Sequence, residues 1–183
     1  MEPASDMNVK RRRVLIFAEA VSLAHMARPV VLAQVLDPAR YEVCLAGDSR
    51  YDHLFPAPAF ERRPLHSISS QSFLEVLAKG NPIYRTSTLR RYVEEDLELI
   101  RAWSPDLVVG DFRLSLAISA REAGIPYITI TNAYWSPYAR QRYPIPEHVT
   151  ARLFGVPVAQ ALFRVLRPAI FAGHTIPLNR VRR

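Results

Sequence analysis

The stretch from Arg13 to Gly47 constrains the fold more than any other part of the chain. It opens with a wholly apolar run, Val14 to Ala18, which is typical of a strand buried on both faces of a parallel sheet. Apolar residues at helical spacing follow as far as Val35, with Ser22 as the predicted N-cap, and a second strand spans Tyr41 to Ala46. Strand, helix and strand in about 35 residues form a βαβ unit, which requires a parallel sheet with a right-handed crossover.

The same alternation returns in the second half of the chain. Apolar residues recur at helical spacing from Leu89 to Trp103 and predict a long amphipathic helix. A buried strand from Asp106 to Asp111 ends in a carboxylate, a helix follows from about Leu114 to Ala123, and another strand spans Tyr127 to Thr131. The sequence therefore predicts an α/β fold, a Rossmann-like parallel sheet flanked by helices.

The remaining segments surround this sheet. Phe60 to His66 is a predicted third strand, Asn132 to Glu147 is an aperiodic stretch that we interpret as a long loop, and Val158 to Phe171 is a final apolar helix. We predict that residues 1–11 form a flexible basic leader and that residues 12–179 form one Rossmann-like acceptor-binding domain. A chain of 183 residues, 49% of them apolar, suits one packed domain.

The formal net charge of +7 bears on the choice of partners. The interior arginines are scattered without an alternation of aromatic and basic residues, so we expect no nucleic-acid partner. Arg164 and Arg167 lie on the last apolar helix, where a solvated face is favoured over peripheral contact with a membrane surface. No stretch approaches the length and apolarity of a transmembrane span, so a membrane protein is not predicted.

The cysteine and histidine residues do not predict a metal site. Cys44 is the single cysteine, which excludes a disulfide or a thiolate zinc site and favours a core position in the reducing cytoplasm. The spacing of four histidines is irregular, and loop positions are favoured for them: His53, His66, His148 and His174. The first βα turn lacks glycine, and the chain has no Walker-type phosphate loop. We therefore predict no bound metal and no dinucleotide or ATP cofactor.

Two polar residues follow buried strands at the predicted carboxyl edge of the sheet, where α/β domains bind ligands. His25 comes shortly after the first strand, and Asp111 ends a later one. A histidine oriented by a carboxylate can act as a general base, because the carboxylate fixes the tautomer and stabilises the imidazolium. The spacing alone leaves open the alternative of two unrelated residues that cap neighbouring turns.

Three segments resemble one enzyme family. The stretch Phe17-Ala-Glu-Ala-Val-Ser-Leu-Ala-His-Met-Ala-Arg-Pro29, the stretch Pro105-Asp-Leu-Val-Val-Gly-Asp-Phe112 and the stretch Ala123-Gly-Ile-Pro126 are similar to the N-terminal, acceptor-binding domain of family 1 glycosyltransferases. These are two-domain GT-B-fold enzymes, among them UDP-glycosyltransferases and bacterial natural-product glycosyltransferases. The resemblance runs from about Arg12 to Asn179, and it implies the N-terminal half of a GT-B fold.

The resemblance also implies roles for single residues. His25 matches the general base for the acceptor hydroxyl, although the usual Gly-His pair is Ala-His here, and Asp111 matches the aspartate that holds it. The loop after the last strand lines the acceptor pocket in the family, which suggests Tyr134, Trp135 and Tyr138 as acceptor-binding residues. Loop packing is the alternative for these aromatic side chains.

The resemblance covers only the acceptor half of such an enzyme. In the family, a C-terminal domain binds most of the nucleotide-diphosphate sugar, which is a co-substrate, and no counterpart of that domain is expected here. The implied function is that of an inverting, metal-independent glycosyltransferase half, inactive alone, which takes a small apolar acceptor and requires a donor-binding domain. A separate chain is one possible source of that domain. The alternative is a non-catalytic acceptor-binding or interaction module.

Overall fold

A computed structural model describes residues 10–135, 138–139, 145 and 149–183, and a five-stranded parallel sheet is its centre. The strand order is β3-β2-β1-β4-β5, and every neighbouring pair is parallel. The strands are β1 (Arg12–Ala18), β2 (Tyr41–Gly47), β3 (Glu61–Pro64), β4 (Leu107–Asp111) and β5 (Tyr127–Ile130). The predicted α/β class with a Rossmann-like sheet is therefore confirmed.

Helices connect and flank these strands. They are α1 (Leu23–Val35), α2 (Ser70–Ala78), α3 (Thr86–Trp103), α4 (Leu116–Glu122) and α5 (Val149–Arg182), with short 3-10 helices at Ser49–Leu54 and Ala133–Trp135. Gly124 follows the C-cap residue of α4, Ala123, and has a φ of 68°, a left-handed conformation that suits glycine.

Strand β1 lies in the middle of the sheet because its side chains are apolar on both faces. Val14 and Ile16 belong to a cluster that includes Met26 and Val30 of α1. Leu15 and Phe17 face the other side, in a cluster with residues of α3 and α4. Burial on both faces explains why this run shows no alternation of polar and apolar residues.

The register places the ends of three strands at one edge. Ala18 pairs with Gly47 of β2 on one side and with Asp111 of β4 on the other. Residues that follow β1 therefore meet residues that end β4, as the sequence predicted. The backbone N–H of Glu19 donates to the carbonyl oxygen of Asp111 at 3.2 Å, which closes this edge directly.

One local prediction is confirmed in position and another was wrong in its bounds. Ser22 does occupy the N-cap position of α1, but its side chain makes no capping hydrogen bond. The third strand is shorter than Phe60 to His66, because it is an edge strand that pairs only from Glu61 to Pro64. Proline has no N–H to donate, so it suits the end of such a strand. Cys44 is fully buried in β2, which confirms its predicted core position.

Helix α5 corrects the predictions for the end of the chain. It extends well beyond Val158 to Phe171, and the left-handed Gly155 (φ 77°) breaks it near its start. Pro157 stands in the first turn after this break, where its missing N–H is tolerated. Within the described residues, Ala151–Arg182 is long and apolar enough to cross a membrane by length and composition, contrary to the sequence-based expectation. Core helices of soluble proteins also meet these two criteria, but only 6% of the most apolar stretch of this helix is buried.

We expect the isolated chain to self-associate because of this exposure. Large apolar side chains of α5 are exposed at Leu153, Phe154, Val156, Val158, Leu162, Val165, Leu166, Phe171 and Ile176. Such a row exceeds what a monomer usually exposes, so we expect light scattering to show association that rises with concentration. Val165→Asp should reduce it, because Val165 is 76% exposed. Val35→Asp on α1, 71% exposed, is the matched control; a clean wild-type monomer would contradict the prediction.

Candidate active site

The structure brings His25 and Asp111 into direct contact. His25 lies in the first turn of α1 and Asp111 is the last residue of β4, so both stand at the carboxyl edge of the sheet. Nδ1 of His25 is 2.7 Å from Oδ1 of Asp111. The carboxyl side chain is fully buried and the imidazole is 15% exposed. The predicted hydrogen bond between these two side chains is confirmed.

Arg28 also contacts this pair, and this third member was not predicted from the sequence. One helical turn after His25, its Nη2 donates to Oδ1 of Asp111 at 2.8 Å. Its Nε lies 2.8 Å from Oδ2 as an ion pair, although that N–H is not aligned for a hydrogen bond. Residues three apart share one face of a helix, so this spacing was the available signal.

The contact with Asp111 favours one tautomer of His25. A carboxylate that is held by a guanidinium only accepts hydrogen bonds, so the 2.7 Å contact requires a proton on Nδ1. Nη2 of Arg28 also lies 2.9 Å from Nδ1, but with Nδ1 protonated it donates to Oδ1 of Asp111 and not to the ring. Nε2 is therefore left with its lone pair, and it can accept a proton from a bound group.

Phe112 covers one face of the imidazole. The two rings are stacked, with centroids 4.5 Å apart and planes inclined by 21°. Phe112 has a φ of 59°, in the left-handed region that is uncommon for a bulky residue. On its other sides it meets Phe73 edge-on at 5.8 Å and Tyr84 at 6.5 Å. An aromatic surface thus adjoins the His25–Asp111 pair.

The predicted acceptor residues are only partly connected to this pair. Tyr134 accepts a hydrogen bond from Nδ2 of Asn132 at 2.8 Å, and Oδ1 of Asn132 accepts one from Nη1 of Arg28 at 2.7 Å. Trp135 ends the second 3-10 helix, but its side chain lies outside the described residues. Tyr138 is almost fully exposed. Their role toward an acceptor stays a prediction.

A buried ionic cluster lies behind the site. Arg113, two residues after Asp111, contacts Oε2 of Glu19 through Nη1 and Oδ1 of Asp96 through Nε, each at 3.0 Å. The aromatic ring of Tyr92 lies beneath its guanidinium, 3.5 Å from the ring centroid. Burial raises the pKa of both carboxyls, and the neighbouring guanidinium acts in the opposite direction.

The cluster links three elements of the fold. Ser115 and Ser119 donate to Oδ2 of Asp96, and Tyr92 donates to Oε1 of Glu19 at 3.0 Å. Glu19 follows β1, Asp96 lies on α3 and Arg113 follows β4. Arg113 therefore fixes the turn that carries Asp111 and Phe112 to the core.

The structure does not group the other histidines. Among the described residues, no three His, Cys, Asp or Glu side chains are arranged to hold a metal ion. His53 lies in the first 3-10 helix, and His174 lies on α5, where a loop was expected. Burial lowers the pKa of His66, which lies between β3 and α2. His148 falls outside the described residues.

Comparison with curated proteins identifies glycosyltransferase relatives. The chain is 51% identical over 182 residues to a PGL/p-HBAD biosynthesis rhamnosyltransferase of Mycobacterium bovis (strain BCG / Pasteur 1173P2), covering all of this chain and 40% of that protein. It is 49% identical over 174 residues to an inactive PGL/p-HBAD biosynthesis glycosyltransferase of the same strain, covering 95% of this chain and 48% of that protein. No family model matches the sequence. The chain thus spans less than half the length of these curated relatives.

Solved glycosyltransferase structures align with part of the chain. Glycosyltransferase SsfS6 of Streptomyces sp. SF2575 aligns at 24% identity and a TM-score of 0.47, over 65% of this chain and 39% of that one. UGT2 of Phytolacca americana aligns at 16% identity and a TM-score of 0.49, over 67% of this chain and 31% of that one. The sequence relatives confirm the predicted resemblance to glycosyltransferases, for the part of their length that aligns.

Proposed function

We propose that this chain, a homologue of part of the PGL/p-HBAD glycosyltransferases, is the acceptor-binding half of an inverting, metal-independent glycosyltransferase. The observation that carries the proposal is the 2.7 Å contact between His25 and Asp111, which leaves Nε2 of His25 available as a base. The aromatic surface around Phe112 beside this pair suits a small apolar acceptor.

The proposed step is a direct displacement. Nε2 of His25 takes the proton of the acceptor hydroxyl while that oxygen attacks the anomeric carbon of the sugar. The bond between the anomeric carbon and the nucleotide diphosphate breaks, and the diphosphate leaves with the bonding electrons. Attack from the face opposite the leaving group inverts the anomeric centre. Asp111 stabilises the imidazolium that forms, as in the histidine–aspartate pairs of hydrolases.

We propose that the co-substrate is a nucleotide-diphosphate sugar and that a donor-binding part, which this chain does not supply, holds most of it. One relative is described as a rhamnosyltransferase of PGL/p-HBAD biosynthesis, so a rhamnosyl donor and an acceptor from that pathway are the first substrates to test. We propose that the reaction takes place in the cytoplasm, and that the chain does not catalyse it without the donor-binding part.

A second candidate function has its own support. One relative, 49% identical to this chain, is described as inactive. A non-catalytic acceptor-binding module would keep the aromatic surface and lose the transfer of sugar.

One experiment separates the two functions. The chain would be joined to the remaining sequence of the rhamnosyltransferase relative, and sugar transfer would be measured with nucleotide-diphosphate sugars and candidate acceptors. We expect transfer by the joined enzyme, none by the chain alone, and acceptor binding by both. Acceptor binding without transfer by the joined enzyme would favour the non-catalytic module, and neither activity would reject both functions.

A further inference from the structure

We infer that Arg28 is a positioning residue that ties the segment after β5 to the His25–Asp111 pair. The inference rests on the proposed function, in which this pair activates an acceptor bound beside that segment. Arg28 has two roles in the structure. It connects two parts of the site, and it forms an ion pair with Asp111.

The connection runs through three side chains. At one end, Nη2 and Nε of Arg28 contact the two carboxylate oxygens of Asp111, each at 2.8 Å. At the other end, Nη1 donates to Oδ1 of Asn132, the second residue after β5, at 2.7 Å. Asn132 in turn donates to Tyr134, a predicted acceptor-binding residue. The Arg28 side chain is 31% exposed, so this connection is partly shielded from water.

Only arginine can make these contacts together. Its planar fork carries five N–H donors and can contact a carboxylate and an amide at the same time. A lysine in this position keeps the positive charge near Asp111, but its single ammonium group cannot span both partners. A methionine keeps much of the length and loses both the charge and the donors. Comparison of the two variants therefore separates the effect of losing the hydrogen bond to Asn132 from the effect of losing the positive charge beside Asp111.

Arg28 also holds the carboxylate that orients His25. Its Nη2 donates to Oδ1 of Asp111, the same oxygen that lies 2.7 Å from Nδ1 of His25. Without the guanidinium, the fully buried side chain of Asp111 loses the cation that fixes its carboxylate. Arg28 thus positions His25 through Asp111.

The variants give distinct expected results in the joined enzyme. Arg28→Met should lower kcat and raise KM for the acceptor, each several-fold, because it loses both the ion pair with Asp111 and the hydrogen bond to Asn132. Arg28→Lys should recover kcat but not KM. Asn132→Leu should raise KM and leave kcat near wild type. Arg101→Met, an exposed change on α3, is the control for arginine loss.

A second measurement does not depend on turnover. In the 183-residue chain labelled with ¹⁵N, we expect Arg28→Met to change the chemical shifts of the His25 ring nitrogens and of the Asn132 side-chain amide. Arg28→Lys should change the Asn132 amide and leave the His25 ring nitrogens near their wild-type shifts. An Arg28→Met variant with wild-type nitrogen shifts at both residues would overturn the inference. A joined enzyme that transfers no sugar would reject the proposed function, and the nitrogen shifts would still decide the role of Arg28.

Discussion

Replacement of His25 by alanine in the joined enzyme is expected to lower turnover by a factor of about 10² to 10⁴, the usual contribution of a positioned base. The variant removes the only group that the proposed step uses to accept the acceptor proton. Acceptor affinity, measured with the 183-residue chain, should change little, because apolar contacts supply most of the binding area in such pockets. Turnover and acceptor affinity are therefore measured in parallel.

Asp111→Asn serves as the graded comparison. The imidazole remains in this variant, but its tautomer and the charge that stabilises the imidazolium are no longer fixed, so a smaller loss is expected. His53→Ala, an exposed change in the first 3-10 helix, is the control for loss of a histidine and should keep wild-type turnover. Near-normal turnover of His25→Ala would reject the mechanism.

The second large effect concerns stability. Arg113→Met should lower the free energy of unfolding by about 3–5 kcal/mol, the usual loss when one partner of a buried ion pair is removed. Glu19 and Asp96 are fully buried, and the variant leaves both carboxylates without their counter-ion. Urea unfolding followed by circular dichroism measures the loss.

Two further variants test the reason for this effect. Arg91→Met removes an exposed arginine that pairs with Glu95 one helical turn away, and it should change the unfolding free energy by about 1 kcal/mol at most. Adding Glu19→Gln and Asp96→Asn to Arg113→Met removes the unpaired charges and should recover part of the loss, even where the single variant does not fold. Equal losses for Arg113→Met and Arg91→Met would contradict the role of the buried cluster.

The sequence was sufficient to predict that His25 and Asp111 lie in contact. The apolar runs of β1 and β4 identify two neighbouring parallel strands, and the ends of such strands meet at one edge. His25 and Asp111 follow from this geometry without knowledge of any side-chain conformation. The proximity of Arg28 to His25 could have been predicted in the same way, because Arg28 stands three residues after His25 on a predicted helix.

The buried cluster and the last helix could not be predicted in this way. The meeting of Glu19, Asp96 and Arg113 depends on how α3 is placed against the sheet, and no local pattern records that placement. Periodicity predicted only the central part of α5, because Gly155 and three prolines interrupt the pattern that a helix usually shows. Long-range packing determines how the buried cluster forms. Helix α5 continues through prolines that a sequence pattern treats as interruptions.

The turn at Phe112, whose backbone is left-handed, limits where segments can be exchanged between related proteins. Asp111 contacts His25 and Arg28, whereas Arg113 contacts the buried carboxylates, so a turn of three residues joins the site to the interior. A chimera with a junction inside 111–113 should lose both sets of contacts. A junction after Thr131 leaves this turn intact and transplants Asn132 with the segment that follows β5. Such grafts should keep their geometry only in recipients that offer an arginine at the position of Arg28.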